Sequence, residues 1–199
     1  MMKVPKEHIH LMKSKLKDAP TFVYSVLDSI IKGTVYADSA DYKSLLIQTD
    51  SGLYYVEGQP TDELFLENFV EIFETAVKEG QRFTLFSPTL AWNEAIERHL
   101  DNKIKKIQRY AFSFDEMKYE RRKRSDMSAY DLAKIEHVDI QHCLEFDEQY
   151  YDEYWDSTRN FLQHGIGFCV KDKEHIISEA VSIFKSSQYA EIDIVTDPN

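Results

Sequence analysis

The sequence predicts an α+β fold, and three features carry that prediction. Leu64, Phe65, Phe69, Ile72, Phe73, Ala76 and Val77 recur at helical spacing between Thr61 and Glu79, which makes a broad apolar stripe on one long helix. Tyr42 to Gln48 and Leu53 to Glu57 flank Thr49-Asp50-Ser51-Gly52, a hairpin signal with glycine at the turn. The last ten residues, Ala190 to Asn199, read as a strand that runs into Asp197-Pro198-Asn199. Proline cannot donate to a ladder and presets φ for a turn, so the strand ends there.

The elements follow in order. A short helix begins near Pro5 and ends at Ala19, with Ile9, Met12 and Leu16 on one face. Pro20 interrupts it. Phe22 to Ile31 carries Phe22, Val23, Val26, Leu27, Ile30 and Ile31 at helical spacing, with Gly33 in the position of a C-cap. Val35 and Tyr36 begin a strand, and the hairpin follows. Thr61 can cap the long helix, and Gly80 ends it. Arg82 to Phe86 is a short strand. Ser87-Pro88 opens a helix through Leu100, with Trp92, Ile96 and Leu100 at i, i+4 and i+8. Lys103 to Phe114 alternates imperfectly through Ile104, Ile107, Tyr110, Phe112 and Phe114, and reads as a strand.

Residues 1–114 therefore form an N-terminal α+β domain with helices and antiparallel strands. Residues 115–128 are crowded with charge and form a connector. The basic run Arg121 to Arg124 within it could grip a phosphate, but such a run is more often a solvated linker. Residues 129–199 form a second unit. Tyr130 to Ile135 is a strand, Glu145 to Trp155 and Ser157 to His164 are helices, and Asp156 or Ser157 caps the latter. Ile166 to Lys171, Ile176 to Lys185 and Tyr189 to Thr196 then form a meander, turning at Asp172-Lys173-Glu174 and Ser186-Ser187-Gln188.

Composition bounds the function. A chain of 199 residues that is 43% hydrophobic, with twelve Phe, twelve Tyr and two Trp, can bury a substantial core. The net charge of −11 is lopsided: residues 1–125 hold 19 acids and 19 bases, whereas 126–199 hold 16 acids and 5 bases. That argues against a nucleic-acid partner for the C-terminal part. It suits a cationic substrate such as an amine, although acidity also serves solubility. No apolar run approaches the ~18 residues that span a bilayer, so no membrane partner is expected. Met1 to Leu11 has no apolar stretch of a secretory signal, and Cys143 and Cys169 lack CxxC spacing. A cytoplasmic protein with reduced thiols is the expectation. His8 and His10 form a His-x-His pair without a further ligand nearby, so no metal site is expected.

Strand, two helices, then a three-strand meander is the element order of GNAT-superfamily N-acetyltransferases up to their fourth strand. Gly165-Ile166-Gly167-Phe168-Cys169-Val170 and Glu191 to Asn199 carry the resemblance. Over its whole length the chain also resembles a bacterial subgroup with an extra N-terminal α+β domain, near the zwittermicin-resistance acetyltransferases. The resemblance implies the front half of a GNAT-like mixed sheet with flanking helices in 129–199. In the family, the turn after the fourth strand leads into a loop Arg/Gln-x-x-Gly-x-Gly/Ala that holds the pyrophosphate of acetyl-CoA. Here it would begin just past Asn199. This form is therefore expected to be incomplete, part of a longer parent, and a weak binder of acetyl-CoA.

The implied activity is transfer of acetyl from acetyl-CoA to a small primary amine by direct attack. Resemblance places Ile194, Val195 and Thr196 where main-chain groups pair with the pantetheine arm, a strand addition by a small molecule. A base must take a proton from the acceptor ammonium. Glu191 and Asp193 alternate with Ile192 and Ile194, so both carboxylates face one side and are the candidates. They could equally line a solvated face. The family's usual acid, a tyrosine beyond the loop, has no counterpart here. Tyr150, Tyr151, Tyr154 and Trp155, interleaved with carboxylates on a helix that borders the family's acceptor cleft, suit an amine cation. An aromatic core stripe accounts for the same pattern. From another class, a non-catalytic binding or interaction module on the same scaffold remains the rival reading.

Overall fold

The computed structural model describes residues 1–100, 103–110, 112, 114–122 and 130–198. Two sheets organise it. The first has the order β1 (Met2–Lys3), β2 (Gly33–Ala37), β3 (Ser44–Thr49), β4 (Leu53–Gly58), β5 (Thr84–Phe86). The second has the order β6 (Asp131–Lys134), β7 (Gly167–Asp172), β8 (His175–Lys185), β9 (Ala190–Thr196), antiparallel throughout. The helices are α1 (Lys6–Ile9), continued by a 3-10 helix His10–Lys15, α2 (Thr21–Leu27), α3 (Glu63–Lys78), α4 (Leu90–Leu100), α5 (Glu116–Arg122), α6 (His137–Ile140), α7 (Glu148–Trp155) and α8 (Thr158–His164).

The first sheet is buried on both faces, which explains the nearly unbroken apolar runs of its hairpin. Side chains alternate across a strand. Leu46, Tyr54 and Val56 thus enter one core with Phe65, Phe69 and Phe73 of α3 and Trp92 and Ile96 of α4. Leu45, Ile47, Leu53 and Tyr55 enter the other, against Phe22, Val23 and Val26 of α2. That second core does not stop at the first sheet. It continues through Phe184 and Val181 of β8 to Tyr151, Trp155 and Phe161 of α7 and α8. Helix α2 is the wedge between the sheets. The Ser25 hydroxyl donates to the Lys185 carbonyl at 2.8 Å, and Phe22 meets Phe184 with ring centroids 5.9 Å apart.

Several expectations are corrected. Helix α2 ends at Leu27 and the chain reverses through Ser29 at φ 58°. Gly33 opens β2 instead of capping the helix. A Cβ there would stand 2.4 Å from the Gln48 carbonyl oxygen and 2.7 Å from a Val26 methyl, so close packing of α2 on β3 demands the glycine. Asp62, not Thr61, caps α3, accepting from the Phe65 amide at 2.8 Å. The expected all-antiparallel first sheet has one parallel pair, β4 with β5, because α3 carries the chain back to the same end. Lys103 to Phe114 forms no strand among its described residues. Ile107, Tyr110, Phe112 and Phe114 are exposed. A period-two pattern becomes a strand only beside a free ladder, and the sheet ends at three-residue β5. In the connector, Arg121 and Arg122 close the exposed α5, while Lys123 and Arg124 lie outside the described residues.

Candidate active site

Strand β9 is the edge of the second sheet, with β8 on one side and no strand on the other among the described residues. Its alternation is regular: Glu191, Asp193 and Val195 turn toward the helices, and Ile192 and Ile194 turn outward. The main chain also alternates. The Asp197 amide donates to the Ile177 carbonyl of β8 at 2.9 Å, so odd-numbered residues here address β8 and even-numbered ones address the free edge. Consistent with this, the Ile194 amide donates to the Asp193 carboxylate at 3.1 Å instead of to β8. Thr196 therefore presents its peptide groups to the open side, and Ile194 its carbonyl, its amide being held by Asp193. Val195 does not, and its carbonyl also accepts from the Ser178 hydroxyl at 3.0 Å.

The two carboxylates have different neighbours. The Tyr150 hydroxyl donates to Asp193 at 3.4 Å. Burial pushes the Tyr150 hydroxyl up from its ordinary value, and the Asp193 charge adds to the shift, so it keeps its proton at neutral pH. Asp147 caps α7 by accepting from the Tyr150 amide at 2.9 Å, which fixes the turn that aims this tyrosine. Glu191 instead accepts from Arg109 Nη2 at 3.1 Å, and that guanidinium lies 5.4 Å from the centre of the Phe86 ring.

Tyr154 stands one turn from Tyr150, ring centroids 5.0 Å apart. Its hydroxyl accepts from Arg82 Nη1 at 2.8 Å, and the same nitrogen donates to Glu153 at 3.2 Å. Tyr151 and Trp155 belong elsewhere. Both are fully buried, Tyr151 stacked on Phe161 at 4.1 Å and Trp155 donating from its indole to the Ser182 carbonyl at 2.9 Å. They are core residues and are withdrawn from the acceptor set. Residues at i and i+1 on a helix point about 100° apart, so the four aromatics divide into a sheet-facing pair and a site-facing pair.

Two hollows, about 420 and about 470 Å³, lie on the first sheet, one bordered by Tyr36, Gln48 and Glu71 and the other by Lys15, Tyr42 and Glu57. Neither reaches β9. The free edge beside Asp193 remains the better candidate, because it joins open main-chain groups to a carboxylate within reach of a hydroxyl donor.

A family model described as GNAT acetyltransferase matches residues 10–199. The chain belongs to the GNAT acetyltransferase family. A relative from Bacillus subtilis (strain 168), "Uncharacterized N-acetyltransferase YdfB", is 36% identical over 181 residues, which is 90% of this chain and 69% of that protein. Among solved structures, a GCN5-related N-acetyltransferase-like protein from Streptococcus suis 89/1591 shares the fold with a TM-score of 0.67 at 22% identity, covering 96% of this chain and 76% of that one. By this resemblance the GNAT chain is a transferase, of a family that generally uses acetyl-CoA. No helix of its described residues is long and apolar enough to cross a membrane.

Sequence reasoning did not find Arg82, Phe86 or Arg109 of this GNAT site. A lone arginine carries no spacing signal, and these reach the site only because α2 docks the two sheets together. Glu179 is different. It occupies an inward position of apolar β8 and is buried, accepting from the Leu144 and Glu145 amides at 3.1 and 3.3 Å. An acid in phase with Val181 is a signal legible in the sequence.

Proposed function

We propose that this chain moves acetyl from acetyl-CoA to a small primary amine, with Asp193 as the proton acceptor. One observation carries the proposal: Asp193, held by Tyr150, lies beside the Ile194 carbonyl and the Thr196 peptide groups on the free edge of β9. The amide-bearing arm of acetyl-CoA fits that edge as an added strand, through Ile194 and Thr196. Acetyl-CoA supplies the thioester. Asp193 takes a proton from the acceptor ammonium, and Tyr150 orients the carboxylate. The freed amine attacks the thioester carbonyl carbon, the C–N bond forms, the C–S bond breaks, and the second proton that the nitrogen sheds passes through solvent to the departing thiolate. Glu191, engaged by Arg109, positions that arginine. Tyr150 and Tyr154 border the acceptor. We further propose that residues 1–114 are the extra N-terminal domain of a zwittermicin-resistance-like subgroup, joined through 115–128 to an acetyltransferase unit, 129–199.

The test is thiol release and acetyl-amine mass with acetyl-CoA and a panel of primary amines. Asp193→Asn should lower kcat about 10²–10⁴-fold while leaving the acceptor KM within a few-fold. Transfer at the wild-type rate by Asp193→Asn removes the assigned base. Amine binding without any transfer would instead favour a binding module.

A further inference from the structure

The hollow between α3 and the first sheet is built from polar groups that chemistry at β9 does not use. Two sequence patterns make it. On the sheet, Gln48 of β3 pairs with Tyr54 of β4, and Leu46, two residues before Gln48, pairs with Tyr36 of β2. Side chains alternate along a strand, so Tyr36, Gln48 and Tyr54 share the face that meets α3. On α3, Asn68, Glu71 and Thr75 recur at i, i+3 and i+7, a polar stripe beside the apolar one of Phe65, Phe69 and Phe73. The two polar sets border one space of about 420 Å³, which Gln81, just past the helix, also lines. A hollow of about 300–1,000 Å³ is the size that holds small ligands.

These groups are not spent on one another. Among the described residues, the side chains of Tyr36, Gln48, Tyr54, Glu71, Thr75 and Gln81 have no hydrogen-bond partner. Asn68 donates its side-chain amide to the Leu64 carbonyl at 2.6 Å and keeps its oxygen free. Tyr54 is the most telling. It is only 6% exposed, its ring is stacked on Phe83 at 4.1 Å, and its hydroxyl meets no protein acceptor among the described residues. Burial pushes that hydroxyl up, and the neighbouring Tyr36 phenol adds to the shift, so it stays a neutral donor. Glu71 is the one carboxylate that lines the hollow. Neither Lys3, opposite Tyr36 in the ladder, nor the Met1 amine at the border forms an ion pair with it. Glu67, one turn earlier on α3, adds a second negative charge nearby.

We propose that this hollow binds a small organic ammonium compound that carries hydroxyl groups, its ammonium at Glu71 and its hydroxyls among the side-chain amides and phenols. An apolar ligand would strip water from the Tyr54 hydroxyl and the side-chain amides and leave them without partners, which is costly. An anion would meet Glu71 and Glu67 without an offsetting cation. An ammonium makes a charge-assisted bond to Glu71, and its remaining N–H groups suit the oxygens of Gln48, Asn68 and Gln81. The phenol rings also attract a cation. Hydroxyl groups both donate and accept, which matches side-chain amides, phenols and Thr75. The hollow does not reach β9 and uses none of its residues, so the proposal stands apart from the acetyl-transfer reading of Asp193.

The experiment is calorimetric binding of charge-matched probes to this chain: glucosamine, glucose and glucose 6-phosphate, and choline with 3,3-dimethylbutan-1-ol. At least one ammonium compound should bind about tenfold tighter than its neutral partner, the factor that one charge-assisted hydrogen bond supplies. Glu71→Gln keeps the shape and removes the charge, and it should abolish that preference. Tyr54→Phe keeps the ring and removes the hydroxyl, and it should weaken the ammonium compound about three- to tenfold. Unchanged melting temperatures would show that both variants fold, and Glu71 is exposed on α3, so its replacement leaves the core untouched. Asp193→Asn should bind as the wild type does. A preference lost in Asp193→Asn and kept in Glu71→Gln places the ammonium at β9, which overturns this site and leaves the acetyl-transfer reading standing. Equal affinity within both sets, or tighter binding of glucose 6-phosphate, overturns the cation. If none of the probes binds at millimolar concentration, the hollow holds only water and the proposal fails, whatever the outcome at Asp193.

Discussion

Glu179 shows how one side chain sets a pH dependence. Burial lifts its carboxyl above the usual range, against backbone amides of Glu145, Leu144 and Phe146 that pull it down. The folded chain therefore holds this proton more tightly than the unfolded chain does. Its contribution to stability is greatest at low pH. It declines as pH rises from the unfolded carboxyl value through the raised folded one, then levels off. Glu179→Gln keeps an oxygen acceptor and removes the titration. Its urea unfolding free energy should change less between about pH 4.5 and pH 7 than that of the wild type. Identical slopes would assign the dependence to other groups. At this scale the sequence was informative wherever period two or period 3.6 applies. The shared face of Glu191 and Asp193 on β9 follows from alternation alone. Which carboxylate meets a tyrosine and which meets an arginine does not, because Tyr150 and Arg109 arrive from distant segments.

At the scale of elements, α7 and β9 each separate structure from chemistry by face. Trp155 on the inner face of α7 should cost about 3–5 kcal/mol when truncated to alanine, since that empties a core site and orphans the Ser182 carbonyl. Ile194 on the outer face of β9 is 65% exposed, and Ile194→Ala should stay within about 0.5 kcal/mol. Denaturant titration of both variants measures the contrast, and a comparable loss at Ile194 would mean that the outer face is covered. Long elements were legible because their stripes repeat over several turns: Phe65, Phe69 and Phe73 of α3 are buried as the spacing predicts. Short ones were not. Four-residue α6 lies between strand and helix signals too brief to show a period, and it is fixed by a reciprocal cap between Glu136 and Asp139. Lys103 to Phe114 has the apolar content of a strand without a ladder to join, a condition that only the tertiary arrangement reveals.

For the whole molecule, the decisive fact is that one hydrophobic cluster runs from Val4 and Met12 through α2 to Cys169 and Val181. The charged segment 115–128 suggests two units, and the proposed domain division follows it. The buried surface does not divide there: α2 belongs equally to the first sheet and to β8, tied to the latter through Ser25, and Asn160 of α8 donates to the Ile30 carbonyl at 2.7 Å. Unfolding one sheet would strip α2 of half its packing and expose Phe22, Phe184 and Val181 together. The two sheets should therefore unfold in one cooperative step. The chain carries its own reporters, because its two tryptophans lie on opposite sides of the question. Trp92 of α4 is buried against the first sheet and α3, donating to the Gly58 carbonyl at 3.0 Å, whereas Trp155 is buried under the second sheet. In Trp155→Phe the remaining fluorescence reports the first sheet, and in Trp92→Phe it reports the second. Within each variant, the fluorescence transition in urea should coincide with the far-ultraviolet circular dichroism transition in midpoint and slope. A Trp92 signal that melts apart from the dichroism would mean that the cluster under α2 does not couple the sheets. The site would then be assembled from two independently mobile parts, and Arg82 and Arg109 would lose their fixed place beside β9.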